Sequence, residues 1–364
     1  MSNRRLNIGI TQGDINGIGW EVILRTFADS RLTELFTPVI YGSLQAAKAY
    51  MPTLDKEDGE VKFNVVSSAE DARTGAVNLV ECGDYKPQPG VASAEGGKAA
   101  VEALEMAVAD LKEGLIDAMV TAPIAKETAQ SEKFPFTGHT EFMAAHLDGE
   151  PMMIMCSDRL KVGLVTIHIP VAEVSKNITK ERILQSLATL RQSLKEDFGI
   201  VEPRIAVLAL NPHAGEGGIL GSEEQEIIKP AIVEAFEQGT LAFGPFPADG
   251  LFASGGYAKY DAILAMYHDQ GLTPFKTLSP DGVNFTAGLS GVRTSPDHGT
   301  AYDIAGKGIA DPQSMRNAIY TAIDIVRNRD SWAEWNANPL QHFEREKGRD
   351  ISVKDLKLPE QSED

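Results

Sequence analysis

The amino-acid sequence predicts an α/β protein organised around a mostly parallel central sheet, and two observations lead there. Short, almost wholly apolar runs, of the kind that form strands buried on both faces, alternate with longer segments whose apolar residues recur every three or four positions. Most of the runs end in a polar residue or a glycine, as strands do where they feed a loop. At 364 residues the chain is long enough for two domains of ordinary size, or for one large α/β unit with a deep cleft between its halves.

Leu6 to Ile10 is the first buried strand; the basic start at Arg4 and Arg5 is followed by too short an apolar run for a signal peptide, and Gly13 and Asp14 come at once. Pro38 to Tyr41 and Ala118 to Thr121 are the next strand-like runs. Between them Val101, Leu104, Val108, Leu111 and Leu115 place one apolar stripe on a helix starting near Ser93. Met152 to Cys156, Gly163 to Ile167, Ile205 to Leu210 and Ala262 to Tyr267 continue the strand series, and Ile183, Leu187, Leu190 and Leu194 mark another amphipathic helix. Ser222 with Gln225 reads as a capping box, and Asp311 followed by Pro312 places a cap and an N1 proline before a last helix. With no internal repeat and no low-complexity linker, a domain division falls where the chain crosses between halves, near residue 130. Residues 344 to 364, strongly charged and poor in apolar groups, read as a surface-wrapped or frayed tail.

Charge narrows the functional classes. With 34 basic against 52 acidic residues, the formal net charge of -18 repels phosphate backbones and anionic membranes over most of the surface, so neither nucleic acid nor membrane is an expected partner. An anionic ligand must then meet a local basic pocket. The cysteines, Cys82 and Cys156, sit in separate apolar runs, which predicts buried thiols and a reducing compartment rather than a disulfide framework. No stretch approaches the roughly 20 apolar residues of a membrane-spanning helix. The expectation is a soluble, cytoplasmic protein.

Three histidines stand just beyond apolar runs: His168, His213 and His268. In a parallel sheet ligands collect outside the carboxyl ends of the strands, where three imidazoles could converge on one divalent metal. Each taken singly reads more readily as an ordinary hydrogen-bonded histidine than as a ligand, and their long separations carry no local metal-binding spacing. A basic cluster is formed by Lys276, Asn284 and Arg293 with His139 and Thr140 of Gly138-His139-Thr140-Glu141; these are the donors that a phosphate group needs, or else solvated surface groups. Asn211 to Gly218 contains glycines that let backbone amides approach a ligand. Neither a GxGxxG turn nor a GxxxxGK[ST] loop is present, and Gly13 to Gly19 has the wrong spacing for either, so a nicotinamide cofactor must be held another way. A GxSxG elbow is also missing, which argues against acyl-enzyme chemistry.

Taken together, Thr11 to Gly19, Thr121 to Lys126, Gly138 to Glu141, Asn211 to Gly218, Gly244 to Asp249, Tyr267 to Gly271 and Arg293 to Ala305 resemble the 4-hydroxythreonine-4-phosphate dehydrogenases, within the wider isocitrate and isopropylmalate dehydrogenase-like group. The resemblance spans nearly the whole chain. Asn-Pro-His-Ala-Gly-Glu-Gly-Gly and Tyr-His-Asp-Gln-Gly are its most specific carriers. His298 to Pro312 is similar to the adenine-side loop with which decarboxylating dehydrogenases hold NAD. Departures are Ile15-Asn16, where many relatives have Pro-Ala, and Trp20, where proline is common; they bear on loop shape and specificity.

The resemblance implies two α/β/α subdomains that share a mostly parallel sheet, with the active site in the cleft between them. Residues 1–130 plus 285–364 would form the nucleotide side, and residues 131–284 the metal, substrate and dimer side. It further implies that His168, His213 and His268 bind a divalent metal (zinc, cobalt, magnesium or manganese), one of them reaching across a homodimer interface. His139, Thr140, Lys276, Asn284 and Arg293 would contact a phosphorylated substrate, and His298, Gly299, Thr300, Asp303 and Gly306 would border NAD, with NADP an alternative. Asp249 and Asp269 are candidate proton acceptors, or else carboxylates that orient a histidine. The implied reaction is NAD-dependent oxidation of 4-phosphohydroxy-L-threonine with decarboxylation to 3-amino-2-oxopropyl phosphate, a precursor of pyridoxal phosphate. Rival readings are the same chemistry on 4-phospho-D-threonate or 4-phospho-D-erythronate, acyl transfer to phosphate, and a non-catalytic phosphometabolite-binding protein.

Overall fold

A computed structural model describes residues 4–54, 59–131, 134–136 and 138–340; the tail expected over residues 344–364 lies outside them. The strands are β1 (Asn7–Thr11), β2 (Thr37–Gly42), β3 (Phe63–Val66), β4 (Val77–Glu81), β5 (Ala118–Thr121) and β6 (Gly149–Cys156), followed by β7 (Lys161–Leu164), β8 (Arg204–Leu208), β9 (Leu241–Phe246), β10 (Ala262–Ala265), β11 (Val283–Leu289) and β12 (Arg293–Pro296). Helices α1 (Gly19–Phe27), α2 (Leu32–Leu35), α3 (Leu44–Tyr50), α4 (Ala94–Glu113), α5 (Lys126–Ala129) and α6 (His139–His146) come from the first part of the chain. They are followed by α7 (Val171–Asn177), α8 (Lys180–Glu196), α9 (Lys229–Glu237), α10 (Ala248–Ala253), α11 (His268–Leu278) and α12 (Gln313–Asn336).

Every apolar run read as a strand overlaps one. All twelve strands join a single sheet in the order β3-β4-β2-β1-β5-β12-β11-β6-β7-β10-β8-β9. Three neighbouring pairs are antiparallel, β12 with β11, β11 with β6 and β6 with β7; the remaining pairs are parallel. An odd number of reversals means that the block around β1 and β5 and the block β7-β10-β8-β9 run in opposite senses.

Apolar runs stay continuous because both faces of the sheet are covered. In β2, Val39 and Tyr41 face the cluster that contains Val101, Leu104, Val108 and Leu111 of α4, while Ile40 faces the cluster of Ile23, Leu24 and the α12 residues Ile319 and Ile323. In β10, Leu264 joins the side covered by Ile183, Leu187, Leu190 and Leu194 of α8, and Ile263 the side covered by Leu272 and Phe275 of α11. Each such leucine removed from water contributes about 2 kcal/mol.

Helix ends follow the expected chemistry. Ser93 accepts the Gly96 amide at 3.1 Å at the start of α4, and Gly114 closes it with a left-handed φ of 74°. Asp311 accepts the Gln313 amide at 2.9 Å, but α12 begins one residue later than expected, with Pro312 at the capping position and not at N1. At Ser222 the chain turns into a helix, but its first turn is of the wide π type over Glu224–Ile228 and has no side-chain cap, so the capping box is not formed. Cys82 and Cys156 are buried and unpaired, and burial pushes both thiols up to about 12. No helix among the described residues is long and apolar enough to cross a membrane.

Candidate active site

Arg293 opens β12 in the middle of the sheet and is 3% exposed. Its Nε and Nη2 donate to the Thr121 hydroxyl at 3.0 and 2.6 Å, and Nη1 donates to Thr286 at 3.2 Å. Its partners are thus neutral hydroxyls, and burial pulls the guanidinium down to about 9, with the charge of Glu141 opposing. It is still charged at neutral pH. A buried cation held by neutral hydroxyls is costly unless an anion completes the site.

Other polar atoms around it are also left open. The buried His139 Nε2 and Asn284 Oδ1 have no hydrogen-bond partner. His139 is the first residue of α6 and is held well below its ordinary protonation range by burial, then by the charges of Arg293 and Lys126. Asn284 donates only to the Met153 thioether, at 3.4 Å; flipping the amide would turn its N–H donors into the same open space. Lys276, on α11, is half exposed and paired with Asp297 at 2.9 Å. Thr140 lines a neighbouring cavity of about 390 Å³ together with Glu141, Met153, Ile167, His168 and Arg182. A larger cavity of about 1180 Å³, against the β6–β7 turn and α12, is lined by none of the candidate metal, substrate, cofactor or proton-accepting residues.

The three candidate metal histidines leave the same edge of the sheet, since β7, β10 and β8 are parallel neighbours. Two of them meet: the rings of His168 and His268 have centroids 5.9 Å apart. Burial, then the Lys126 charge, holds His168 below its ordinary value against the pull of Glu141, which keeps the neutral form that binds divalent metals. Asp269 sits 2.7 Å from Nδ1 of His268, the contact by which a carboxylate fixes an imidazole's orientation. His213 is exposed and stands in a loop with left-handed backbone at His213, Ala214, Gly215, Glu216 and Gly217. Among the described residues of one chain no group of three His, Cys, Asp or Glu side chains is placed to hold a metal. The donor set therefore fits a divalent ion only as a pair awaiting a further ligand. Asp249, exposed in the first turn of α10, follows β9 at the outer end of this block.

The candidate cofactor residues lie in the long connection from β12 to α12. His298 turns Nδ1 toward the Gly299 carbonyl at 3.0 Å, while its buried Nε2 has no partner. Around Gly299 there is open space where a Cβ would stand. The Thr300 carbonyl accepts the Ile18 amide at 3.0 Å, Asp303 is exposed, and Gly306 has a left-handed φ of 76°. An unsatisfied buried imidazole beside an unfilled glycine cradle suits a polar ligand such as a dinucleotide.

Sequence reasoning passed over Thr121, Thr286, Lys126 and Glu141. Thr121, Lys126 and Glu141 stand inside the motifs that carry the resemblance, so the signal was present; Thr286 had none, because its role comes from pairing directly with Arg293 across β11 and β12.

Fold and site define an α/β enzyme whose polar groups gather beside the ends of the central strands. The chain belongs to the family described as pyridoxal phosphate biosynthetic protein PdxA, whose profile matches residues 34–322. It is 52% identical, over the full length of both chains, to a 4-hydroxythreonine-4-phosphate dehydrogenase from Bacteroides thetaiotaomicron. It is 39% identical to a putative D-threonate 4-phosphate dehydrogenase from Oceanobacillus iheyensis, covering 88% of this chain and 97% of the relative. Among solved structures, a 4-hydroxythreonine-4-phosphate dehydrogenase from Klebsiella pneumoniae superposes with a TM-score of 0.77 at 32% identity, covering 90% of this chain and 99% of that one.

Proposed function

We propose that the chain oxidises 4-phosphohydroxy-L-threonine with NAD and a divalent metal, and that the oxidised product loses carbon dioxide to give 3-amino-2-oxopropyl phosphate. The observation that carries this reading is Arg293, a buried cation that only neutral hydroxyls satisfy, beside the unpartnered His139 Nε2 and Asn284 Oδ1. A phosphate group would supply the missing charge and acceptors. Lys276 would exchange Asp297 for the same phosphate, and Thr140 would add a hydroxyl.

His168 and His268 would hold the metal, and His213 of a second copy would complete the set; what supports a shared site is that His213 lies outside the pair. The bound metal would acidify the substrate hydroxyl, and NAD would accept the hydride. The chain's part is to fix the geometry. Arg293 and its neighbours anchor the phosphate, Asp269 sets the His268 ring, and Asp249 or Asp269 accepts the hydroxyl proton. Hydride loss from the carbinol carbon leaves a β-keto acid, whose carboxylate departs as carbon dioxide while the electron pair moves into the ketone. We retain the division into residues 1–130 with 285–364 and residues 131–284 as the two walls of the site.

The relative named for D-threonate 4-phosphate favours a second reading, in which the same machinery takes a phosphorylated sugar acid. The test is NADH formation by purified protein with divalent metal on 4-phosphohydroxy-L-threonine, 4-phospho-D-threonate and 4-phospho-D-erythronate. Preference for the amino acid is the expected result. Preference for a sugar acid would replace the substrate and keep the mechanism; oxidation of none of them would overturn both.

A further inference from the structure

Helix α1 carries none of the residues assigned above, yet it is aimed at the connection from β12 to α12. Glu21 is fully buried, and its two carboxyl oxygens accept the Ala310 amide at 2.8 Å and the Gly306 amide at 3.2 Å. One turn further along the same helix, Arg25 donates to the Gly308 carbonyl, and its own carbonyl accepts from Arg316 at the start of α12 at 3.0 Å. The loop before α1 holds the other half of the connection. Asp14, also fully buried, accepts the Tyr302 hydroxyl at 2.7 Å, and the Ile18 amide donates to Thr300 at 3.0 Å. Contact is close enough that a Cβ on Gly17 would stand 2.7 Å from the Thr300 carbonyl oxygen.

A carboxyl group removed from water is tolerated only where its oxygens are hydrogen-bonded, and Glu21 commits both of its oxygens to the backbone of this one loop. Thr300, Tyr302, Gly306, Gly308 and Ala310 are thus gripped from the α1 side, while Gly299 and Asp303 are left unencumbered. Residues 298–310 contain neither helix nor strand and include Gly299, Gly306 and Gly308, so their shape must be imposed from outside. We propose that Glu21, assisted by Asp14, is a positioning residue for the dinucleotide: it preorganises the 298–310 loop through the loop's backbone without touching the cofactor. The inference rests on the reading of that loop as the cofactor site. If the loop samples other shapes, apparent affinity falls by the fraction that remains competent.

The test compares Glu21→Gln, Tyr302→Phe and His298→Ala with the unaltered protein. NAD binding is measured by calorimetry in the presence of divalent metal, and amide hydrogen exchange is followed over residues 300–310. Glu21→Gln sets an amide N–H₂ where one backbone N–H now donates. It should weaken NAD by about tenfold or more and speed exchange at Gly306 and Ala310, while metal stoichiometry and the KM of the phosphorylated substrate stay within about twofold. Glu21→Asp should recover part of the loss. If Glu21→Gln fails to fold, Tyr302→Phe, which removes only the hydroxyl donated to Asp14, should shift NAD affinity in the same direction by a smaller factor. Faster exchange with unchanged NAD affinity would overturn the proposal, as would an equal loss of NAD and substrate binding. His298→Ala separates the two levels. If it weakens NAD while Glu21→Gln does not, the positioning role alone fails; if it leaves NAD unaffected, the reading of the loop fails.

Discussion

Arg293, as the proposed phosphate anchor, would trade stability for binding. Its guanidinium is out of water with only the Thr121 and Thr286 hydroxyls as partners, so the folded protein bears a desolvation cost that a bound anion would offset. Two outcomes are expected of this position. Arg293→Ala should lose roughly 2–3 kcal/mol of binding to a phosphorylated substrate, seen as a raised KM, with much less change for the dephosphorylated analogue. Equal losses on both would exclude a phosphate contact. Arg293→Met, which fills similar volume without the charge, should leave the urea midpoint of the ligand-free protein unchanged or raise it. A clear drop in midpoint would mean that the threonine hydroxyls already satisfy the cation.

Among the elements, α4 has its start tied to the loop after β1. Ser93 accepts the Gly96 amide at 3.1 Å and also the Asn16 side-chain amide at 2.8 Å, while Asn16 Oδ1 accepts the Gln88 amide at 2.6 Å. Asn16, one of the departures from the resembling family, thereby joins the loop after β1 to the entry of α4. Trp20, the other departure, is fully buried and donates from Nε1 to Gln12 at 3.0 Å. Ser93→Ala should cost about 1–2 kcal/mol in urea unfolding, above what a cap alone contributes, because Asn16 loses a partner with it. A double-mutant cycle with Asn16→Ala measures the coupling; strict additivity would show that the two contacts are independent.

At the scale of the whole molecule, acid should loosen the fold through its buried imidazoles. His139 is held below its ordinary value of 6.5 by burial, then by Arg293 and Lys126. His298 is lowered by burial against the Gly299 hydrogen bond and the charge of Asp297. Both bind protons more readily in the unfolded chain, so stability from these groups is full above about 6.5 and declines as pH falls below it. Urea midpoints measured from neutral pH down to about 5.5 should decline, and His139→Gln should flatten the slope; an unchanged slope would remove His139 as a cause. The proposed site shared between two copies makes a second prediction about the assembly. At substrate concentrations well below the raised KM of Arg293→Ala, His213→Ala and Arg293→Ala should each be nearly inactive, but subunits mixed by unfolding and refolding together should regain about a quarter of full activity, since about half of the dimers are mixed and each of those has one intact site. No recovery would place all three histidines of a site in one chain.

By itself the sequence determined the strands buried on both faces, the amphipathic stripes of α4 and α8, and where α4 starts and, to within a residue, α12, because these depend on local periodicity and on side chains within a turn of the backbone they satisfy. It also marked the basic cluster and the strand-end histidines by residue type and place. It did not reveal β12, whose Arg-Thr-Ser-Pro looks like loop until Thr121 and Thr286 partner the arginine from neighbouring strands. Nor did it show that three antiparallel pairings reverse the second half of the sheet, since strand direction is set by crossovers and not by composition. That Glu21 and Asp14 brace a loop almost 300 residues away along the chain was likewise decided only by the tertiary structure, which alone can bring a buried carboxyl group to the backbone amides that satisfy it.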